Sequence, residues 1–170
     1  MAVVGNPKPQ SQTLQAARSL AEALNGLLPT SGDPLVVDLA PISKGLLVPW
    51  QLSTGAQEAH DAARSAALLV IATPTYKASF TGLLKLFLDT FAADSLSRTV
   101  VVPLVVSGGP AHRHLADLQL RPVLSELGAV APAQSFLLEQ SELSRVDDLA
   151  RTYAQDHGPL LAATSVSLRS

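Results

Sequence analysis

Hydrophobic positions along this chain fall into two alternating patterns. Short runs of β-branched or aliphatic residues, at Val3-Val4, Leu35 to Leu39, Leu68 to Ala72, Val100 to Val106 and Phe136 to Leu138, predict five buried strands. Between them, Leu14 to Leu28, Gly55 to Ala66, Phe80 to Phe91, Leu115 to Leu127 and Leu143 to Leu161 carry apolar residues at helical spacing, most plainly at Phe80, Leu83, Leu84, Phe87, Leu88 and Phe91. A strand-helix alternation of this kind predicts an α/β fold, with a parallel sheet covered by helices on both faces and right-handed crossovers. Two places are irregular. Only Met1 to Val4 precede the first glycine, fewer than the roughly five residues of an ordinary central strand. His157-Gly158-Pro159 is expected to interrupt or kink the last helix, and the tail from Thr164 to fray.

For five such strands the expected order is 2-1-3-4-5, the flavodoxin-like three-layer sandwich. At 170 residues with no linker or repeat, a single domain spanning 1–170 is expected. The absence of cysteine excludes disulfide scaffolds, thiolate metal sites and cysteine nucleophiles. A net charge of −2 gives no basic field for nucleic acid. The longest aliphatic stretches fall far short of the roughly 20 residues that span a membrane, and no secretory signal precedes Gly5, so a cytoplasmic protein without a membrane anchor is expected. Charged residues make up only 15% of the chain, below the roughly 25% of ordinary domains, which implies apolar surface that something covers.

In an open α/β sheet, ligands sit beyond the carboxyl ends of the strands where the strand order reverses. Three loops would meet there. The first, GNPKPQSQT at residues 5–13, sets Ser11, Gln12 and Thr13 at the start of a helix. Backbone N–H groups and two hydroxyls there can hold a dianionic phosphate, although Ser11 as an ordinary N-cap accounts for the same residues. It is neither a Walker loop nor a G-x-G-x-x-G turn. In the second, ATPTYKASF at residues 72–80, Pro74 stiffens the exit from the strand and offers Thr75, Tyr76 and Lys77 to the polar edge of a flat ring. The alternative is a plain connection with Ser79 as N-cap. The third, Ser107-Gly108-Gly109-Pro110, permits close backbone approach or simply makes a tight turn.

Taken with TPTYKASFTGLLKLFLD and GGPAHRHLADLQLRPVLSELGA, these loops resemble the NAD(P)H-dependent FMN reductases, in particular the branch serving alkanesulfonate monooxygenases. The resemblance spans residues 3 to about 138 and is most specific from Pro74 to Lys85. It implies that Ser11, Gln12 and Thr13 bind the FMN phosphate, that Pro74, Thr75, Tyr76 and Lys77 pack on the ribityl chain and ring, and that Gly108 and Gly109 border the ring. Gln12 and Lys8 stand where typical members have a basic residue beside the serine, which implies weaker FMN binding. The implied reaction is hydride transfer from NADPH or NADH to FMN, with no side-chain acid, base or nucleophile. Implied partners are FMN, the nicotinamide donor and a flavin-dependent monooxygenase. A homodimer or homotetramer built on Phe80 to Phe91 and Leu115 to Leu127 would account for the missing charges. In that branch an extra residue can bulge the helix after the fourth strand. Leu118 falls at that place with Pro122 behind it, so a kink or π-type bulge is predicted.

Two other readings stay open within the fold: a quinone- or azo-type reductase that retains FMN, and a flavodoxin-like electron carrier, the latter disfavoured by the weak net charge. His112 and His114 are too few for a metal site. His112 is a candidate polar contact to a cofactor, and Arg113 a candidate phosphate contact. Trp50 is read as a core or interface anchor.

Overall fold

The computed structural model of the chain describes residues 1–27 and 32–170. Its elements are β1 (Ala2–Val4), α1 (Gln12–Asn25), β2 (Val36–Asp38), α2 (Thr54–Ser65), β3 (Leu68–Pro74), α3 (Gly82–Leu88), β4 (Val100–Ser107), α4 (Leu115–Glu126), β5 (Phe136–Glu139) and α5 (Val146–Ser167). The predicted end of the first helix, Leu28, lies outside the described residues. Short 3-10 helices at Ser43–Leu46, Pro110–His112 and Gln140–Arg145 follow β2, β4 and β5.

The five strands form one parallel sheet in the order β2-β1-β3-β4-β5, as the pattern predicts. Alternation along each strand sorts side chains into two cores. Ala2 and Val4 of β1 with Val70 and Ala72 of β3 pack under α1 and α5. Val3, Leu69 and Ile71 pack on the other face with Leu84, Phe87, Leu120 and Leu124 of α3 and α4. Both faces are covered, which is why these strands read as unbroken apolar runs. Burial of a side chain such as Phe87 or Leu84 contributes about 1.5–3 kcal/mol. β1 holds only three residues, yet it is hydrogen-bonded on both sides, in register with β2 and β3.

Two expectations about the helices are corrected: the last is not interrupted, and the fourth carries no π-type bulge. Pro159 lies inside α5, which continues through it to Ser167. Close packing of α5 on α1 outweighs the local preference of the proline. A Cβ on the buried Gly158 would lie 2.8 Å from Leu27, so this glycine is what lets α5 approach the turn that follows α1. α4 is likewise α-helical from Leu115 to Glu126, with the Leu118 N–H bonded to the His114 carbonyl at 3.0 Å, so no π-type bulge forms. Pro122 frees one carbonyl, that of Leu118, on a face where the side chain is 65% exposed and water reaches.

At the outer edge of the sheet, three backbone carbonyls next to or within β5 accept side-chain donors. Arg121 donates to Ala133 at 3.3 Å, Tyr153 to Gln134 at 2.6 Å and Arg113 to Leu137 at 2.9 Å.

Candidate functional site

Because every strand is parallel, the loops after β1, β3 and β4 emerge at one end of the sheet. The first starts at Gly5, whose N–H bonds the Ala72 carbonyl at 2.8 Å. A Cβ there would lie 2.4 Å from the Leu84 Cβ, so only glycine lets α3 pack against it. Asn6, 8% exposed, spans the loop: its Nδ2 donates to Thr13 Oγ1 at 3.1 Å and its Oδ1 accepts the Lys8 N–H at 2.9 Å. Gln10 takes a left-handed φ of 52°, and the chain enters α1 through Ser11.

Ser11 is the N-cap of α1, its Oγ accepting the Leu14 N–H at 3.2 Å. The Gln15 N–H takes the Ser11 carbonyl, which leaves the amides of Gln12 and Thr13 with no partner inside the helix. The hydroxyls of Ser11 and Thr13 are both buried, both accept from the protein, and neither donates among the described hydrogen bonds. Each therefore keeps one O–H hydrogen for an acceptor from outside. No acidic side chain occupies the first turn of α1, so the positive end of its dipole is not neutralised locally. This donor set suits a group that only accepts, and a phosphate is such a group.

The second loop is tied to the first by two buried threonines. Thr73 Oγ1 donates to the Pro74 carbonyl at 2.9 Å and accepts the Thr81 N–H at 3.2 Å. Thr81 Oγ1 caps α3 by accepting the Leu84 N–H at 3.1 Å and donates to the Gly5 carbonyl. The N-cap of α3 is thus Thr81 rather than Ser79, because only Thr81 reaches both partners. Pro74 ends β3, and the Thr75 N–H continues the ladder to the Val106 carbonyl at 3.0 Å. Thr75 Oγ1 is buried and has no hydrogen-bond partner among the described residues.

Tyr76 and Ser79 then close a two-residue hairpin, exchanging N–H···O bonds of 2.8 and 3.0 Å. Lys77 and Ala78 occupy its corner at φ 49° and 63°, the left-handed pair of a type I′ turn. Gln119 of α4 holds the tip by donating to the Ala78 carbonyl at 2.9 Å. Tyr76 stands 49% exposed.

The third loop leaves β4 at Ser107, whose buried Oγ faces the Gly109 and Leu138 carbonyls at 3.2 and 3.3 Å. A Cβ on Gly108 or Gly109 would meet nothing of the protein within 4 Å. The chain's own packing does not demand glycine there, and the space above both is open to another molecule. His112 follows on the exposed 3-10 helix, its backbone N–H on the Gly109 carbonyl at 3.1 Å. Arg113 is paired with Glu139 and Glu142, both at 3.3 Å, and so braces β5. Trp50 is 87% exposed and is therefore not a core residue.

The structure thus brings Ser11, Gln12, Thr13, Pro74, Thr75, Tyr76, Lys77, Gly108, Gly109 and His112 to the loops at one end of the sheet. Asn6, Thr73, Thr81 and Gln119, which set those loops in place, were not legible in the sequence. A threonine before a helix signals a cap, but its second bond to a distant carbonyl has no local signature.

Sheet order, parallel register and the three loops at the reversal point define a flavodoxin-like protein. The family model of the NADPH-dependent FMN reductases matches residues 1–142, and the chain belongs to that family. A Pseudomonas putida protein named FMN reductase (NADPH) is 38% identical over 76 residues, 45% of this chain and 39% of that one. A Pseudomonas aeruginosa protein of the same name is 33% identical over 133 residues, 76% of this chain and 70% of the relative. The chain thus spans well under half of the first relative's length and about two thirds of the second's. Among solved structures, the apo form of the NADH:FMN oxidoreductase EMOB matches with a TM-score of 0.79 at 33% identity, covering 98% of this chain and 87% of that one.

Proposed function

We propose that residues 1–170 act as one FMN reductase domain that takes hydride from NADPH or NADH and delivers it to FMN. The observation that carries this reading is the pair of buried hydroxyls, Ser11 and Thr13, each accepting one hydrogen bond from the protein and keeping its own hydrogen unspent, beside the amides of Gln12 and Thr13, which have no partner inside the helix. These groups would hold the phosphate of FMN, with the dipole of α1 in its favour. Pro74, Thr75, Tyr76 and Lys77 would carry the ribityl chain and one edge of the ring. The orphan Thr75 Oγ1 is available there as a hydrogen-bonding group. Gly108 and Gly109 would border the ring, with His112 at the mouth.

Once bound, FMN supplies the hydride acceptor, and the chain contributes positioning, fixed dipoles and exclusion of water. No side chain is assigned a proton in this reading. The domain would work in the cytoplasm, with a flavin-dependent monooxygenase as the consumer of reduced FMN. No helix among the described residues is long and apolar enough to cross a membrane.

Mixing the protein with FMN and following NADH and NADPH oxidation separately tests the reaction. Oxidation of at least one donor is expected, and none with either would end the reductase reading. Replacing both Ser11 and Thr13 by alanine is expected to weaken FMN binding at least about tenfold, since hydrogen bonds to charged groups are strong. Unchanged affinity would place the phosphate elsewhere.

We also propose that the domain is a homodimer or homotetramer assembled through α3 and α4. A cleft of about 470 Å³ runs between them, with Leu88, Phe91, Pro122 and Val123 in its lining and Lys85, Asp89 and Glu126 among its charged residues. Leu118, 65% exposed, adds apolar surface on α4. Light scattering is expected to give a mass two or four times that of the chain. A monomer would refute the assembly and leave the low charge content without an account.

A further inference from the structure

A second groove lies beside the first loop, on the α3 side of the sheet. It has a volume of about 290 Å³ and is lined by Pro7, Ser43, Lys44, Leu47, Leu83 and Leu86. We propose that this groove holds the adenosine end of the nicotinamide donor, and that Lys44 reads the 2′-phosphate that distinguishes NADPH from NADH. The inference rests on the reductase reading above and specifies the donor for it.

Four observations converge. The groove is small for a ligand site, where volumes of about 300 Å³ mark the lower bound, so it suits a nucleoside and not a whole dinucleotide. Its lining is mostly apolar, Pro7 and Leu47 with Leu83 and Leu86, as a flat purine requires, while Ser43 and Lys44 add polar groups. Its position is next to the chemistry: Pro7 belongs to the first loop, and Leu83 follows the hairpin residue Ser79 by four positions. A dinucleotide with its nicotinamide over the ring loops can reach it without crossing the sheet.

The fourth is charge. Lys85 is paired with Asp89, and Arg113 with Glu139 and Glu142. Lys44 has no carboxylate within 4.0 Å among the described residues. Lys8 and Lys77 lie in the first loop and at the hairpin corner, and neither lines this groove. An unpaired ammonium lining a mostly apolar slot is the arrangement that discriminates a phosphate from a hydroxyl. Leu47 at 65% exposure is left uncovered in the free protein, where a purine would cover it.

The test uses adenosine 2′,5′-bisphosphate and adenosine 5′-monophosphate as probes, titrated into the full chain. Trp50 is the only tryptophan and lies three residues beyond Leu47, so its emission reports binding; calorimetry reports it independently. The bisphosphate is expected to bind at least about tenfold more tightly than the monophosphate, as a charge-assisted hydrogen bond provides. Lys44→Gln is expected to reduce the bisphosphate to the affinity of the monophosphate, and Leu47→Glu, at an exposed position that does not threaten folding, to weaken both. FMN affinity should stay as in the parent protein. In turnover, Lys44→Gln should raise KM for NADPH and leave kcat and the KM for NADH unchanged.

Equal binding of the two probes, or bisphosphate affinity indifferent to Lys44→Gln, would overturn the proposal. A second copy of the chain seated in the groove would also overturn it: neither probe would bind, and Leu47→Glu would change the mass in light scattering. Lys44-dependent bisphosphate binding without oxidation of either donor would leave the groove assigned and remove the reductase reading. Oxidation of NADPH without such binding would do the reverse.

Discussion

Glycines at the candidate site separate into those the fold needs and those it does not. At Gly5 a methyl group would collide with the Leu84 Cβ at 2.4 Å, in a fully packed core. Gly5→Ala is therefore expected to cost about 1–3 kcal/mol or more of stability, as overpacking does. At Gly108 and Gly109 the same methyl meets nothing, so alanine there should leave stability within about 1 kcal/mol while lowering FMN affinity at least tenfold. Urea midpoints and quenching of FMN fluorescence measure the two quantities on the same variants. Loss of stability at Gly108 or Gly109, or retained FMN affinity, would show that the space is not reserved for a ligand. All three glycines look alike in the sequence, as turn residues after strands. What distinguishes them is a neighbour 79 residues away in one case and open space in the others, which no local pattern carries.

Among the elements, the hairpin from Tyr76 to Ser79 departs furthest from its sequence. Type I′ turns favour Asn-Gly because both corner residues take positive φ, yet here Lys77 and Ala78 occupy them. A left-handed conformation costs an L-residue roughly 1–2 kcal/mol. The three anchors that impose it are the paired Tyr76–Ser79 backbone, the Gln119 bond to the Ala78 carbonyl and the Thr73–Thr81 bond just beyond. Ala78→Gly should then raise stability by about 1 kcal/mol, which is about 2–4 °C in Tm for a chain of this size. A fall in Tm on thermal unfolding would mean the turn is not strained. Strand and helix periodicity located all ten main elements, since it reports burial on both faces of one sheet. It could not locate this hairpin, whose residues are chosen by tertiary anchors, nor the continuity of α5 through Gly158-Pro159, where Gly158 packs against Leu27 just beyond the end of α1.

For the molecule as a whole, the alkaline limit of stability has an identifiable contributor. Tyr153 is 7% exposed, and burial raises its pKa above the ordinary tyrosine value near 10. Its folded-state preference for the neutral form stabilises the protein fully below that ordinary value and is lost as pH rises beyond it, because the unfolded chain then releases a proton that the folded one keeps. Tyr153→Phe, which forfeits the bond to the Gln134 carbonyl, should lower the urea midpoint at about pH 8, with a gap that narrows towards about pH 11. A gap that stays constant with pH would remove Tyr153 as the cause. The same hydroxyl belongs with Arg113 and Arg121 to the donors on carbonyls within β5 and just before it. Arg113 already takes the Leu137 carbonyl of β5, and Arg121 and Tyr153 take carbonyls just ahead of the strand, so a sixth strand would meet occupied acceptors there. Were copies of this chain to meet through their helices, as proposed, that edge would offer little footing for growth, strand upon strand, into a fibre.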